Sequence, residues 1–278
     1  MLAPDCEGVS AEPEIVRQGR KAAEWWQSQG GAVHRKGTVI VALSRDQSEL
    51  TTFARRAPTA TRLNKTQIAA VESHLAERYS KALFLADEGH LDPRATLTAL
   101  HARLDQRGVC FGGDIKGQVI DCRGFAARDT LTDLRGVKGE MIVVRCPDVT
   151  LSRPVRLLHP RFPLYIVPRG DGVFMLGATQ IETGERGRAT LRSVMELMNA
   201  AYALHPAFGE AELLEIGVDA RPAFPDNQPR IRRIGDVIYA NGLFRHGFLL
   251  APALAQMTAD LLLKGKIPEV WYEDHRER

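Results

Sequence analysis

Apolar residues recur at helical spacing at Ile15, Gly19, Ala22 and Trp26, so residues 10–31 are predicted to form a helix with one buried face. Ser10 is placed to cap it, Pro13 suits its first turn, Glu12 and Glu14 complement its positive start, and Gly30-Gly31 ends it. The β-branched run from Thr38 to Leu43 then changes the period to that of a strand. Helical spacing returns over 65–78, a short strand over 82–85, and Asp92-Pro93 opens a helix reaching residue 106. After a turn region, 119–122 reads as a strand running into Arg123-Gly124 and a short helical piece, and 139–145 as another strand. Two apolar runs, 164–168 and 173–176, flank Gly170-Asp171-Gly172 and predict a hairpin. A tight turn at Gly170-Asp171 would set Tyr165 opposite Leu176, with Ala178 and Gln180 on the face of Tyr165. An amphipathic helix over 188–204 follows, then a strand over 237–240 and a glycine-bearing loop over 241–247. Ala251-Pro252 is predicted to open a last helix that Gly265 closes.

Helices interleaved with strands, plus one hairpin, predict an α/β chain of mixed, α+β character with a partly antiparallel sheet. At 278 residues and 44% hydrophobic, the chain can bury one core or two unequal ones, and disordered, collagenous and coiled-coil classes are excluded. A net charge of +3 implies no nucleic-acid partner, and the clusters Arg153/Arg156/Arg161 and Arg230/Arg232/Arg233 read as solvated faces. Cys6, Cys110, Cys122 and Cys146 are widely spaced, with no Cys-x-x-Cys pair. Neither a disulfide framework nor a zinc site is expected, and a reducing cytoplasm fits. The histidines form no metal-binding motif, and no nucleophile elbow or P-loop occurs. The first residues have no leader-like basic and apolar regions, and the most apolar stretch, 248–263, is interrupted by Pro252, Gln256 and Asp260. No membrane span is expected.

Three places are candidates for chemistry. The loop Asn241-Gly242-Leu243-Phe244-Arg245-His246-Gly247 delivers glycines and a helix start to one corner, suited to an anion or a flavin ring; an ordinary strand-to-helix turn has the same pattern. Tyr165 carries a hydroxyl on a strand, where core packing is the alternative. Arg221 lies between Ala220 and Pro222, with Pro225 beyond. A stiffened guanidinium suits bidentate recognition of a carboxylate, and a surface salt bridge is the alternative.

Taken in order, Met1-Leu2-Ala3-Pro4, Tyr165-Ile166-Val167-Pro168-Arg169 with Gly177-Ala178-Thr179, Ala220-Arg221-Pro222 and the run from Gly242 to Pro252 resemble the FAD-dependent D-amino-acid-oxidase superfamily. Within it the likeness is greatest to the glycine oxidases of thiamine biosynthesis. The resemblance implies a truncated FAD-binding domain of mixed sheet and helices (1–9, 92–135 and 232–278) and a substrate domain with an antiparallel-rich sheet (10–91 and 136–231). It implies that Arg221 binds the substrate carboxylate with help from Tyr165, that Arg245 lies near the flavin, and that Met1 sits on the active-site rim. Gln180 stands where the family often has methionine. Gly124 and the residues Gly242, Leu243, Phe244, Arg245, His246, Gly247, Phe248 and Leu249 are implied at the cofactor. The implied reaction is oxidation of glycine or another small amino acid to an imine by hydride transfer to FAD, with dioxygen reduced to hydrogen peroxide. Sarcosine or a D-amino acid is the alternative substrate, and self-association is a family habit. The family's strand, G-x-G-x-x-G turn and helix have no counterpart in these 278 residues. The chain alone is therefore expected to hold FAD poorly, with a non-catalytic remnant as the other reading.

Overall fold

A computed structural model of the chain describes residues 1–158 and 164–275; His159 and Arg161 lie outside the described residues. The strands, in chain order, are β1 (Thr38–Ala42), β2 (Thr61–Asn64), β3 (Lys81–Leu85), β4 (Val119–Asp121), β5 (Arg135–Arg145) and β6 (Val155–Leu158). They continue with β7 (Leu164–Gly170), β8 (Val173–Gly177), β9 (Glu212–Ala223), β10 (Arg230–Ile234), β11 (Val237–Asn241) and β12 (Tyr272–His275). Eight form one sheet in the order β2-β3-β1-β6-β7-β8-β5-β9, antiparallel except where β1 meets β6. The other four form a smaller mixed sheet, β12-β10-β11-β4.

One face of the large sheet packs Ile142, Val144, Leu164, Ile166, Phe174 and Leu176 against the helix Leu191–Leu204, whose Leu197, Ala200, Ala201 and Leu204 are buried. Alternation then turns Tyr165, Val167, Met175, Gly177, Gly139 and Met141 to the opposite face. A second core joins Ile15, Ala22 and Trp26 to Ile231 and Ile238 and to the terminal helix Gly247–Lys264 through Leu249, Leu250 and Leu254. A division at residues 9/10 therefore runs through this core rather than between two cores.

Several local expectations are corrected. The helix expected over 10–31 is two, Pro13–Gly19 and Ala22–Ser28. Ser10 caps neither; its hydroxyl accepts from Arg245 instead. The face formed by Ile15, Gly19, Ala22 and Trp26 is buried as expected. The hairpin turns at Asp171-Gly172 rather than Gly170-Asp171, and this shift, partly offset by an irregularity between Pro168 and Gly170, sets Tyr165 opposite Gly177 rather than Leu176. The last helix begins at Gly247, and Pro252 lies inside it. Pro252 has no N–H for the carbonyl of Phe248, and the Trp26 indole N–H donates to that carbonyl instead, at 2.7 Å. The arginine clusters are not solvated faces. Arg156 is buried, Arg153 pairs with Glu72, and Arg230 and Arg232 share Glu273 while lying over the Phe224 ring.

Candidate functional site

The free face of the large sheet and the corner before the terminal helix enclose a cavity of about 270 Å³. Met1, Tyr165, Gln180, Arg221 and Arg245, five residues far apart in sequence, all line it. Gln180 is exposed at its edge and Ala178 lies deeper, both beyond the end of β8 rather than on the ladder beside Tyr165. The apolar walls are Val167, Met141, Met175 and Leu249.

Arg221 enters from β9 and lies across β5. A Cβ on Gly139 would overlap its guanidinium, so the absent side chain at 139 is what lets the arginine lie there. Its partner is the backbone carbonyl of Thr179, at 3.2 Å, and among the described residues no carboxylate pairs with it. Burial, and then the charge of Arg245, lower its pKa, but a guanidinium stays charged. It is a cation set in a cavity wall without a counter-ion, not the surface salt bridge that local sequence also allowed.

Arg245 is different. Its Nη2 lies 2.8 Å from Glu7 Oε2. Glu7 ends the short helix Pro4–Glu7 and also lines the cavity. The same carboxylate meets His246 Nε2 at 3.0 Å and accepts from the Tyr165 hydroxyl at 3.1 Å. Burial by itself raises the Glu7 pKa, but the His246 hydrogen bond and the Arg245 charge outweigh it and hold the carboxyl well below its usual range. Burial, reinforced by the Glu7 charge, pushes the Tyr165 phenol well above its usual range, so it serves as a neutral donor. Glu7 had no motif to mark it in the sequence. Gly139 read only as the first residue of a predicted strand, and its place inside β5 emerges from the structure.

The loop Asn241–Gly247 forms the wall between this cavity and a second one of about 370 Å³. Leu243 and Pro222 face the second cavity, whereas Arg245, His246 and Arg221 face the first. The second cavity is lined by Ile120, Cys122, Gly124, Ala251, Leu254 and Ala255 among others. Asn241 pins the wall: its side chain donates to the Gly124 carbonyl at 2.9 Å and accepts from the Gly242 N–H at 2.7 Å. Gly242 takes φ +78°, and a Cβ there would strike the Phe224 ring. Of the other residues implied at the cofactor, Phe244 packs with Val137 and Ala223, and Phe248 packs on Trp26. Leu249 borders the first cavity, and the α-carbon of Gly247 has open space beside it.

The wall suits a planar redox ring. The helix Gly247–Lys264 begins at it with unpaired N–H groups. His246 Nδ1 is buried there with no hydrogen-bond partner among the described residues, and the small residues Ala251, Ala255 and Gly124 leave an apolar slot. Among the described residues no helix is long and apolar enough to cross a membrane.

Residues 1–261 match the family described as DAO, FAD dependent oxidoreductase. A Rhizobium etli protein named as a thiamine biosynthesis oxidoreductase, ThiO, is 52% identical over 271 residues, 95% of this chain and 83% of that protein. Glycine oxidase from Geobacillus kaustophilus has the same fold at TM-score 0.78 and 22% identity, covering 97% of this chain and 84% of its own. So does iminodiacetate oxidase from Chelativorans, at TM-score 0.79 and 20% identity, covering 100% and 88%. These matches lend no support to the reading of a non-catalytic remnant.

Proposed function

The chain belongs to the FAD dependent oxidoreductase family, and we propose that it oxidises glycine, or a closely related small amino acid, for thiamine biosynthesis. The observation that carries this reading is the Arg221 guanidinium, which has no counter-ion among the described residues and shares a cavity with the 241–247 corner. A substrate carboxylate supplies the missing partner in the bidentate form that guanidinium favours. Gly139 gives Arg221 its path, and the Thr179 carbonyl fixes one of its nitrogens.

The remaining residues shape what the arginine holds. Met141, Met175, Val167 and Leu249 exclude water and leave room for a small side chain, glycine's hydrogen above all. Glu7 already meets three partners, so among the described residues lining the cavity no free carboxylate favours an ammonium group. The cationic wall thus favours the neutral amine, the form whose lone pair assists loss of the α-hydrogen as hydride. The backbone of 242–247 and the first turn of the terminal helix would hold the flavin, with Gly124, Leu243 and Ala251 against its apolar surface. When bound, the flavin supplies the acceptor of the electron pair and returns it to dioxygen as hydrogen peroxide. The imine product hydrolyses to glyoxylate and ammonia or passes to thiazole formation.

Peroxide release by the flavin-loaded protein, measured with glycine, sarcosine and D-alanine, tests the proposal. The highest kcat/KM is expected for glycine. Higher values for sarcosine or D-alanine would reassign the substrate, and no peroxide with any of the three would overturn the reading.

A further inference from the structure

The cavity contains two arginines but only one acid, and the acid is committed. Glu7 contacts Arg245, His246 and Tyr165, while Arg221 has no carboxylate partner among the described residues. Resting on the oxidase reading, we infer that Glu7 is a specificity residue: by neutralising Arg245 it leaves one cationic seat, and so restricts the site to amines that carry a single carboxylate.

The physical basis is charge count at short range. Arg221 and Arg245 line the same small cavity and repel each other. Without Glu7, two guanidinium groups would face a volume of about 270 Å³, an arrangement suited to a dicarboxylate. With Glu7 in place, a second substrate carboxylate would meet an ion pair already satisfied, close to a fixed negative charge. Another buried cation, Arg156, is not among the residues lining the cavity. It lies behind the Tyr165 ring and donates to the Cys6 carbonyl at 2.7 Å. Glu7 is held on three sides, by Tyr165 from β7 and by Arg245 and His246 from the loop, so its charge cannot swing away to admit a second anion. Neither composition nor spacing marks this role; it follows from the convergence of three elements on one carboxylate.

The test compares equilibrium binding of two unreactive probes, acetate and malonate, by calorimetry on the purified flavin-loaded protein at pH 7.5. KM values for glycine and iminodiacetate are measured in parallel. The wild type is expected to bind acetate at least as tightly as malonate. Glu7→Gln keeps the shape, removes the charge, and should improve malonate relative to acetate at least 10-fold, with KM for iminodiacetate falling in step. The double variant Glu7→Gln/Arg245→Met should lose that gain. Arg245→Met alone gives a measurement that does not need Glu7→Gln to fold. Its malonate-to-acetate ratio should fall below that of wild type, because the Glu7 carboxylate is left at the cavity without its guanidinium and repels the second charge of malonate. A malonate-to-acetate ratio that holds or rises in Arg245→Met, or that is unchanged in folded Glu7→Gln, would overturn the inference. Loss of acetate binding in Arg221→Ala would show that the carboxylate seat itself is correct. Intact acetate binding in that variant would strike the oxidase reading rather than the role of Glu7.

Discussion

The two sides of the 241–247 wall are built on opposite principles. On one side, charges converge from three parts of the chain: Arg245 has Glu7, whereas Arg221 has no acid among the described residues. On the other, Ile120, Leu243, Ala251, Leu254 and Ala255 make an apolar slot with small residues at the closest approach. A polar cavity with one unmet charge selects a small anion by its carboxylate, whereas an apolar slot selects a flat surface by its shape. The wall brings the two selections to a common boundary, which is what transfer between a small acid and a ring cofactor needs.

Substitutions on each side should have effects of different kinds. The largest is expected at Gly139. In Gly139→Ala the new methyl displaces the Arg221 guanidinium, and losing a charge-assisted hydrogen bond of about 1.5–3 kcal/mol raises KM for glycine roughly 10–150-fold. Steady-state peroxide kinetics at saturating oxygen read this out, and an unchanged KM would free Arg221 from its role. Across the wall, Ala255 is exposed at the mouth of the slot, so a larger side chain has room without breaking the core. Ala255→Phe should lower the flavin retained per chain after desalting several-fold, with Tm shifted little. Retention equal to wild type would place the cofactor elsewhere.

Two smaller effects probe the frame that holds the wall. Glu88 is fully buried; one oxygen accepts from the Cys6 N–H at 2.6 Å and the other has no hydrogen-bond partner among the described residues. Burial pushes its carboxyl up to about 8. Between its unfolded value near 4.5 and about 8 the folded chain keeps a proton that the unfolded chain has lost, so stability falls as pH rises through that window. Glu88→Gln should remove that part of the decline, seen as a wild-type Tm that drops between pH 5 and 8 relative to the variant. Parallel Tm curves would refute it. Trp26→Phe leaves the Phe248 carbonyl without its indole donor beside Pro252, a loss of about 1–2 kcal/mol. A Tm lower by roughly 2–4 °C per kcal/mol is expected, whereas an unchanged Tm would show that solvent replaces the bond.

Much of the frame was legible in the sequence. The hairpin around Gly170-Asp171-Gly172, the capped helix after Asp92 and the glycine stop at Gly265 follow from local stereochemistry, and the structure has all three. Longer-range elements were not legible. β9 runs twelve residues with Leu213, Leu214 and Ile216 exposed, so it has no clean alternation of buried and polar positions, and pairing with β5 is what defines it. β10 is rich in arginine and reads as surface until Glu273, Asp133 and the Phe224 ring account for those charges. At the site, Met1, Tyr165, Gln180, Arg221 and Arg245, which the family resemblance marked, line one cavity, but the resemblance did not mark Glu7, which meets three partners distant in sequence.

The central claim is that Arg221 seats the amino-acid carboxylate beside the flavin. It is tested most directly by mixing the flavin-loaded protein with glycine in the absence of oxygen and following the visible flavin band. The wild-type band should bleach at millimolar-order glycine, and Arg221→Ala should need at least 10-fold more for the same rate, from the roughly 1.5–3 kcal/mol a charged hydrogen bond contributes. Equal bleaching of both proteins at the same low glycine concentration would contradict it.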